Sequence, residues 1–307
     1  VEVYQGCVRY KRGCKFCIEP KKGVPIWRTP EDIIKEVRLA HEAGVHHVRL
    51  GGMTDTYTYM ADGVRELEYP VPNPEPIARL LHGLREDERL GILHTDNGNP
   101  SIIAENLEPS EEITKTLVET LSDGAVLSFG LESADPSVHE ANWLNCDPAQ
   151  LKSAIRLINK HGSVRGARGL PKLLPGLNFI AGLNGETEAT YGMNMDLLRE
   201  IRQEGLLLRR INIRQVEGEG FQEVPSEAFA WFKAACRDEI DKPLLEELFP
   251  LGQVIHDVHW ESHDGRTRLP VHETELHRAP DIHGKAGITF GRQIGAYPIL
   301  SLIHISE

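Results

Sequence analysis

Short apolar segments and amphipathic helical patterns alternate along the first two thirds of this sequence. The opening segment VEVYQ is followed by five helical patterns, each leading into a strand-like segment, and the sixth strand ends at about residue 216. Parallel strands need a crossover between them, and a helix is the usual one. The alternation therefore predicts an α/β fold with a parallel sheet, either open and doubly wound or curved into a barrel that could be incomplete.

The segment TPEDIIKEVRLAHEAGV (29–45) is typical of these helical patterns. Thr29 can cap the first turn, Pro30 fits the first helical position, and Asp32 completes a capping box. An apolar stripe follows at helical spacing, and Gly44 ends the helix before the strand-like VHHVRLGG. The start and the end of this helix are thus signalled locally.

Polar or small residues follow the predicted strands after the first. These strand exits are Gly51-Gly52, Thr95-Asp96-Asn97, Glu132-Ser133, Gly182-Leu183-Asn184-Gly185 and Arg214-Gln215. In parallel α/β folds the ligands bind at the carboxyl ends of the strands. We therefore expect the exits to meet at one rim, facing the loop that follows strand one.

Three of the five cysteines lie in that loop. Cys7, Cys14 and Cys17 fall within eleven residues, whereas Cys146 and Cys236 stand alone and are expected to be structural thiols. An odd cysteine count without a secretory leader makes disulfides a poor explanation and indicates a reducing compartment.

Three neighbouring thiolates indicate a metal, and two kinds of site compete. Structural zinc usually has four protein ligands, and the sequence contains no second cysteine pair after the CKFC motif. A [4Fe–4S] cluster held by three cysteines leaves one iron open for a substrate or cofactor, which explains a count of three. Fortuitous clustering is the third interpretation.

Charge and hydropathy exclude several classes of partner. The net charge of −12 argues against a broad nucleic-acid surface, although basic residues collect in 1–28, where they suit either an anionic cluster or plain solvent. No apolar run approaches the roughly 20 residues that span a bilayer, so no membrane partner is expected. Because the first residue is Val and no leader precedes Cys7, we expect a fragment of a cytoplasmic protein.

Four motifs mark the strand ends within residues 1–216: GCKFC after strand one, LGG after strand two, FGLES at strand four and NFIAGLNGET at strand five. Together they resemble the radical SAM superfamily. Longer segments are similar to archaeal radical SAM Fe–S oxidoreductases that carry a C-terminal helix-hairpin-helix motif. These segments are GCVRYKRGCKFCIEP, RLGG, LHTDNGNP and TFGRQIGAYPIL. This sequence shows no pattern of a helix-hairpin-helix motif. The cysteine spacing of six, then two, differs from the common three, then two.

The resemblance implies a partial (βα)6 barrel of the TIM type and two cofactors, a [4Fe–4S] cluster and S-adenosyl-L-methionine. Cys7, Cys14 and Cys17 would be the metal ligands. The open iron would chelate S-adenosylmethionine, and reduction would cleave it to a 5′-deoxyadenosyl radical that abstracts hydrogen. The expected partners are an electron donor such as ferredoxin or flavodoxin and a substrate, a small molecule or RNA, that the sequence does not identify.

The same motifs transfer a set of cofactor-binding residues onto this sequence. Phe16 would lie beside the adenine, and Gly51 with Gly52 would receive the methionine amino group, although Met53 stands where an acidic residue is usual. The remaining assignments are Glu132 and Ser133 near the ribose or methionine moiety, and Ile180 to Gly182 at the adenine.

Three arginines are candidate substrate residues. Arg165 and Arg168 lie in the glycine-rich segment VRGARGLP, and Arg214 ends strand six. A guanidinium binds phosphate or carboxylate in a bidentate way, so we expect these arginines at the carboxyl rim. Solvated loop charges are the alternative for Arg165 and Arg168.

We expect four segments in this chain. They are a radical SAM partial barrel over 1–222, a helical linker over 223–252, a small β-rich appendage over 253–300, and a foreign tail over 301–307. The leading functional hypothesis is a radical SAM enzyme of unknown substrate. The alternative is a non-catalytic metal-binding or nucleic-acid-interaction module that uses the cysteine loop structurally.

Overall fold

The computed structural model describes residues 1–216, 218, 220–250 and 252–256, together with the backbone of 258–263 and 289–293. The strands are β1 (Tyr4–Gln5), β2 (Ile26–Trp27), β3 (Val48–Arg49), β4 (Leu93–His94), β5 (Asn97–Gly98), β6 (Ala125–Glu132), β7 (Leu173–Ala181), β8 (Arg210–Gln215), β9 (Val258–His263) and β10 (Thr289–Gln293). The helices are α1 (Pro30–Glu42), α2 (Pro74–Arg85), α3 (Pro100–Glu105), α4 (Leu107–Thr120), α5 (Pro136–Asn142), α6 (Pro148–Gly162), α7 (Glu188–Gln203), α8 (Ser226–Ala235) and α9 (Lys242–Leu248).

The parallel strands lie side by side in the order in which they occur along the chain. Residues 1–3 run beside the end of β3, where the Val3 N–H donates to the Gly51 carbonyl at 3.0 Å. β3 pairs with β4, and β5 to β8 form a four-stranded sheet with every pair parallel. At least one helix lies between the two strands of each of these parallel pairs, which confirms the α/β fold and the partial TIM-type barrel.

The helix boundaries follow the capping signals in the sequence. At α1 the Thr29 Oγ1 accepts the Asp32 N–H at 3.3 Å, and Pro30 occupies the first position. At α6 the Asp147 carboxylate accepts the Gln150 N–H at 2.8 Å, and the Gln150 Oε1 accepts the Asp147 N–H at 3.3 Å. Both contacts satisfy backbone donors that the first turn of a helix leaves unpaired.

The hydrophobic core lies between the sheet and the surrounding helices, and it includes the segment after β8. The ring of Phe232 on α8 packs edge-on against Phe179 of β7, with 5.4 Å between the ring centroids. Cys146 is 0% exposed and Cys236 1%, which confirms both as core thiols. The predicted helical segment therefore contributes apolar side chains to the barrel core.

Beyond the helices, β9 and β10 form an antiparallel pair. The division into four segments stays a prediction, and the tail predicted over 301–307 lies outside the described residues. Within the part of the chain that the structure describes, none of the helices has both the length and the apolar character needed to cross a membrane.

Candidate functional site

The three clustered cysteines lie on one loop between β1 and β2, at the carboxyl end of the first strand. Their thiols are free of disulfides, and a tight turn joins Cys14 to Cys17, whose N–H donates to the Cys14 carbonyl at 3.0 Å. Arg9 holds the loop together, because its N–H donates to the Cys7 Sγ at 3.4 Å and its Nη1 donates to the Cys14 Sγ at 3.3 Å. The loop therefore presents three thiols with a cation already placed beside two of them.

The electrostatics of the loop favour a metal group over free thiolates. The pKa of Cys14 is raised to about 11, mainly by burial and in smaller part by the nearby Glu132, Cys17 and Cys7, while the Arg9 charge lowers it. Burial also raises the pKa of Cys7 and of Cys17. Cysteines bind metals as thiolates, so bound cations would have to supply the charge that stabilises the deprotonated form here.

The number of thiols bears on the two metal interpretations. Structural zinc usually has four protein ligands, whereas a [4Fe–4S] cluster binds each thiolate to a different iron. Three free thiols on one loop are the donor set that a [4Fe–4S] cluster with one open iron would need.

A polar cavity of about 470 Å³ opens at the same end of the sheet. Its lining residues come from β3, β5, β6, β7 and β8, and one lies between β4 and β5. They are Arg49, Asp96, Asn97, Ser128, Glu132, Asn178, Ile180, Arg210, Asn212 and Arg214. Three of the predicted strand exits therefore contribute to the cavity, through Asp96 with Asn97, through Glu132 and through Arg214.

Glu132 is the most strained of the cavity residues. The pairing of β6 with β7 shifts register between Gly130 and Glu132, and Glu132 has a φ of +69°, in the left-handed region that glycine favours. Its Oε2 is buried without a hydrogen-bond partner in the described residues. Burial raises the pKa of Glu132 to about 8, and the charge of Arg214 opposes that rise. Strain and an unpartnered carboxylate oxygen at one position indicate a ligand-binding role.

Phe16 and Ile180, two residues assigned to the adenine side, come together. Both pack against one small apolar cluster formed by Val138, Leu144 and Leu183. This places the aromatic ring of the cysteine loop beside the end of β7. The structure thus brings the two predicted adenine contacts to the same place, although the binding itself stays a prediction.

Gly182 follows β7 at a φ of +92°, and a Cβ there would lie 2.6 Å from the Val216 carbonyl oxygen. The residue that holds this turn, Glu186, is not among the predicted site residues. The buried Glu186 accepts the Gly182 N–H at 2.8 Å, the Leu183 N–H at 3.2 Å and the Tyr191 hydroxyl at 2.9 Å. The available signal was a glutamate four residues after a strand-end glycine.

The two glycines after β3 allow close approach of neighbouring groups. A Cβ on Gly51 would lie 2.9 Å from the Asp96 Oδ2, and Gly52 has a φ of +68°. Ser133 is also buried, but its Oγ accepts the Asp135 N–H at 3.2 Å and it does not line the cavity. Its assignment to the cofactor therefore has less structural support than that of Glu132.

The placement of Arg165 and Arg168 at the substrate rim is wrong. Both residues precede β7, so they lie at the amino ends of the strands, opposite the cysteine loop. The Arg165 guanidinium donates to the Leu248 carbonyl at 2.7 Å, and the Arg168 N–H donates to the Asp123 carboxylate at 2.9 Å. These arginines join the loop before β7 to the rest of the fold. Arg214 does line the cavity, as expected.

Comparisons with known proteins agree with this geometry. The family model of the radical SAM superfamily matches residues 1–198. An uncharacterized protein of Methanocaldococcus jannaschii is 36% identical over 98% of this chain and 54% of its own length, and one of Archaeoglobus fulgidus is 38% identical over the same shares. This chain therefore spans about half the length of these relatives.

Two further matches have lower sequence identity. A tRNA-2-methylthio-N(6)-dimethylallyladenosine synthase of Coxiella burnetii is 26% identical over 66% of this chain and 40% of that enzyme. The solved cobalamin-dependent S-adenosylmethionine radical enzyme OxsB superposes with a TM-score of 0.50 at 17% identity, over 80% of this chain and 30% of that one, which shows the fold alone. With its cysteine loop, its parallel barrel strands and its archaeal relatives, the chain belongs to the radical SAM superfamily, whose members bind a [4Fe–4S] cluster and S-adenosylmethionine.

Proposed function

We propose that this chain is a radical SAM enzyme that reductively cleaves S-adenosylmethionine at a three-cysteine [4Fe–4S] cluster. The cleavage would supply a 5′-deoxyadenosyl radical that removes hydrogen from a substrate, a small molecule or RNA, not yet identified. The observation that carries the proposal is the loop of three free thiols at the same edge of the sheet as a polar cavity. A structural module would have no use for that cavity.

Within this proposal, the cysteine loop holds the cluster and Arg9 balances its charge. Cys7, Cys14 and Cys17 would bind it as thiolates. The contacts of Arg9 with the sulfurs of Cys7 and Cys14 stabilise negative charge on both. The Arg9 Nη1 also donates to the Trp143 carbonyl at 2.9 Å, which ties the loop to the end of α5.

The rim residues would bind and orient the cofactor. The strained Glu132 offers a carboxylate to the ribose hydroxyls or to the methionine ammonium. Phe16 and Ile180 offer an apolar surface to the adenine, and the Glu186 carboxylate fixes the backbone of the adjoining turn. The cost of ordering this turn is met before the cofactor arrives, which favours tight binding.

Electron delivery would use the exposed basic side of the cysteine loop. Lys11, Arg12 and Lys15 are exposed there, and the charged groups of Arg12 and Lys15 lie 5.4 and 4.9 Å from the centroid of the Trp143 ring. The whole chain has a net charge of −12, so this basic surface is a local exception. An acidic electron carrier such as a ferredoxin or flavodoxin would be complementary to it.

Anaerobic reconstitution tests the proposed function. The protein should take up about four irons per chain and form 5′-deoxyadenosine from S-adenosylmethionine when a strong reductant is present. A metal-binding or nucleic-acid module would give neither result. Iron uptake without any 5′-deoxyadenosine would contradict the catalytic proposal while leaving the cluster in place.

Arg214→Ala separates the substrate side of the cavity from the cofactor side. The uncoupled cleavage of S-adenosylmethionine should survive, whereas turnover of the true substrate should fall about tenfold or more, because one charge-assisted contact is lost. Arg237→Ala is a matched control, since Arg237 is exposed and does not line the cavity. If cleavage without substrate also disappears in Arg214→Ala, this arginine belongs to the cofactor site.

A further inference from the structure

The inside of this barrel is unusually polar. Barrel interiors are commonly filled by bulky, branched apolar side chains. Here nine of the ten described residues that line the cavity are polar or charged, and Ile180 is the exception. Polar groups withdrawn from water lower stability unless they find partners, so such a lining indicates a polar ligand.

The lowest layer of the cavity is built around Arg210. Ser128, Gly176 and Arg210 lie in register across β6, β7 and β8. Because Gly176 has no side chain, the Arg210 side chain crosses β7 and its Nη2 donates to the Ser128 Oγ at 2.9 Å. A Cβ on Gly176 would lie 3.1 Å from the Arg210 Cγ, so the glycine leaves the room that this arginine needs.

The next layer carries two amides. Gly130, Asn178 and Asn212 are in register, and the Asn212 Nδ2 donates to the Asn178 Oδ1 at 2.8 Å. A primary amide has two donors and an acceptor oxygen with two lone pairs, so this single bond uses a small part of the capacity of the pair. Both amides line the cavity, where they can bind hydroxyl or carbonyl groups of a ligand.

Three of the cavity residues are arginines. Arg49 forms an ion pair with Asp96. Arg210 and Arg214 bring two further guanidinium groups to the lining, and a guanidinium binds carboxylate or phosphate in a bidentate way.

We propose that this cavity binds the oxyanion of a small polar substrate, a carboxylate or a phosphate, with Arg210 as its main anchor and the Asn178–Asn212 pair beside it. That the bound molecule is a substrate rests on the proposed function. The polar lining makes the cavity a poor site for a hydrocarbon group, and its depth along β8 suits a small molecule better than an RNA strand.

Arg210→Met tests this site in the full-length reconstituted chain. The probes are inorganic phosphate and malonate, each compared with sodium chloride at equal ionic strength, and the readout is the thermal unfolding midpoint over a concentration series. Either anion or both should raise the midpoint of the parent protein, because a ligand that binds only the folded state stabilises it. The apparent Kd of the effective anion should be about tenfold weaker or more in Arg210→Met.

Arg237→Met is the matched control, because that exposed arginine lies outside the cavity. General stabilisation by phosphate should appear equally in every variant, whereas the specific shift should disappear only in Arg210→Met. Ser128→Ala provides a second test, because it keeps the charge and removes the hydroxyl that accepts from Arg210. This substitution should weaken the binding of the anion several-fold. Equal shifts of the midpoint in all variants at every anion concentration would overturn the proposal.

Three further outcomes decide what the arginine binds. S-adenosylmethionine should bind Arg210→Met within about twofold of the parent, and a large loss would assign Arg210 to the cofactor carboxylate and overturn the substrate-class proposal. If a tRNA raises the unfolding midpoint of the parent and neither small anion does, the substrate is RNA and the small-molecule proposal is overturned. If anions bind but reductive cleavage of S-adenosylmethionine fails in the parent, the proposed function fails and the anion site stands.

Discussion

Cys14→Ala should remove the iron–sulfur absorbance of the reconstituted protein together with all cleavage of S-adenosylmethionine. Only two thiolates then remain, so a second iron of the cluster lacks a protein ligand. The site no longer has three held irons and one open iron for the cofactor. The Arg9 Nη1 also loses the sulfur to which it donates at 3.3 Å. Cys7→Ala and Cys17→Ala should behave in the same way, and iron content and visible absorbance measured under anaerobic conditions check all three.

Cys146→Ala is the control for this series. Cys146 is 0% exposed, and its Sγ donates to the Asp147 carbonyl at 3.2 Å, so its loss should lower the free energy of unfolding by about 1–2 kcal/mol without affecting the cluster. A cluster that forms in Cys14→Ala, or fails to form in a folded Cys146→Ala, would contradict the three-cysteine site. The latter result would indicate a fourth protein ligand, which would close the position that the cofactor needs.

Glu132→Gln should weaken S-adenosylmethionine binding by roughly 1–3 kcal/mol, or about 5- to 150-fold in Kd. The side chain is held at a φ of +69° with one carboxylate oxygen unpartnered, and the substitution replaces a charge-assisted contact by a neutral one. Equilibrium dialysis under anaerobic conditions measures the change. Glu119→Gln, on the exposed side of α4, is the control, and equal dissociation constants for Glu132→Gln and the parent would refute the assignment.

The same residue predicts a pH dependence with a defined sign. The pKa of Glu132 lies at about 8 in the cofactor-free protein, whereas hydroxyl or ammonium donors bind its ionised form. Binding therefore releases a proton, and the affinity of the parent for S-adenosylmethionine should rise between pH 6 and pH 8. This rise should be absent in Glu132→Gln. A parent affinity that is flat or falls over this interval would contradict a contact with the carboxylate.

The positions of the helices and of the cysteine loop were predictable because their signals are local. The Thr29 side chain accepts the Asp32 N–H, and Asp147 with Gln150 forms a capping box, so both caps act over three residues and no distant contact is needed to define those helix starts. The short helices α3 and α5 were missed, since each is six or seven residues long and has no clear apolar period.

The error over Arg165 and Arg168 had a different origin. Their segment is glycine-rich and basic, a composition that is typical of anion-binding loops at either edge of a sheet. A loop that precedes a parallel strand lies at the amino edge of the sheet, so the placement of both residues before β7 already argued against the substrate rim. The structure shows their bonds to the Leu248 carbonyl and the Asp123 carboxylate instead.

The sequence by itself determined the alternating order of strands and helices, the parallel sheet and the place of the three cysteines, because capping, periodicity and spacing act within a few residues. Only the tertiary structure decided which polar groups meet inside the barrel. The reach of Arg210 across Gly176 to Ser128 depends on the register of three strands that lie far apart in the chain. The strained backbone of Glu132 likewise depends on a register shift against β7, and no local pattern specifies such a shift.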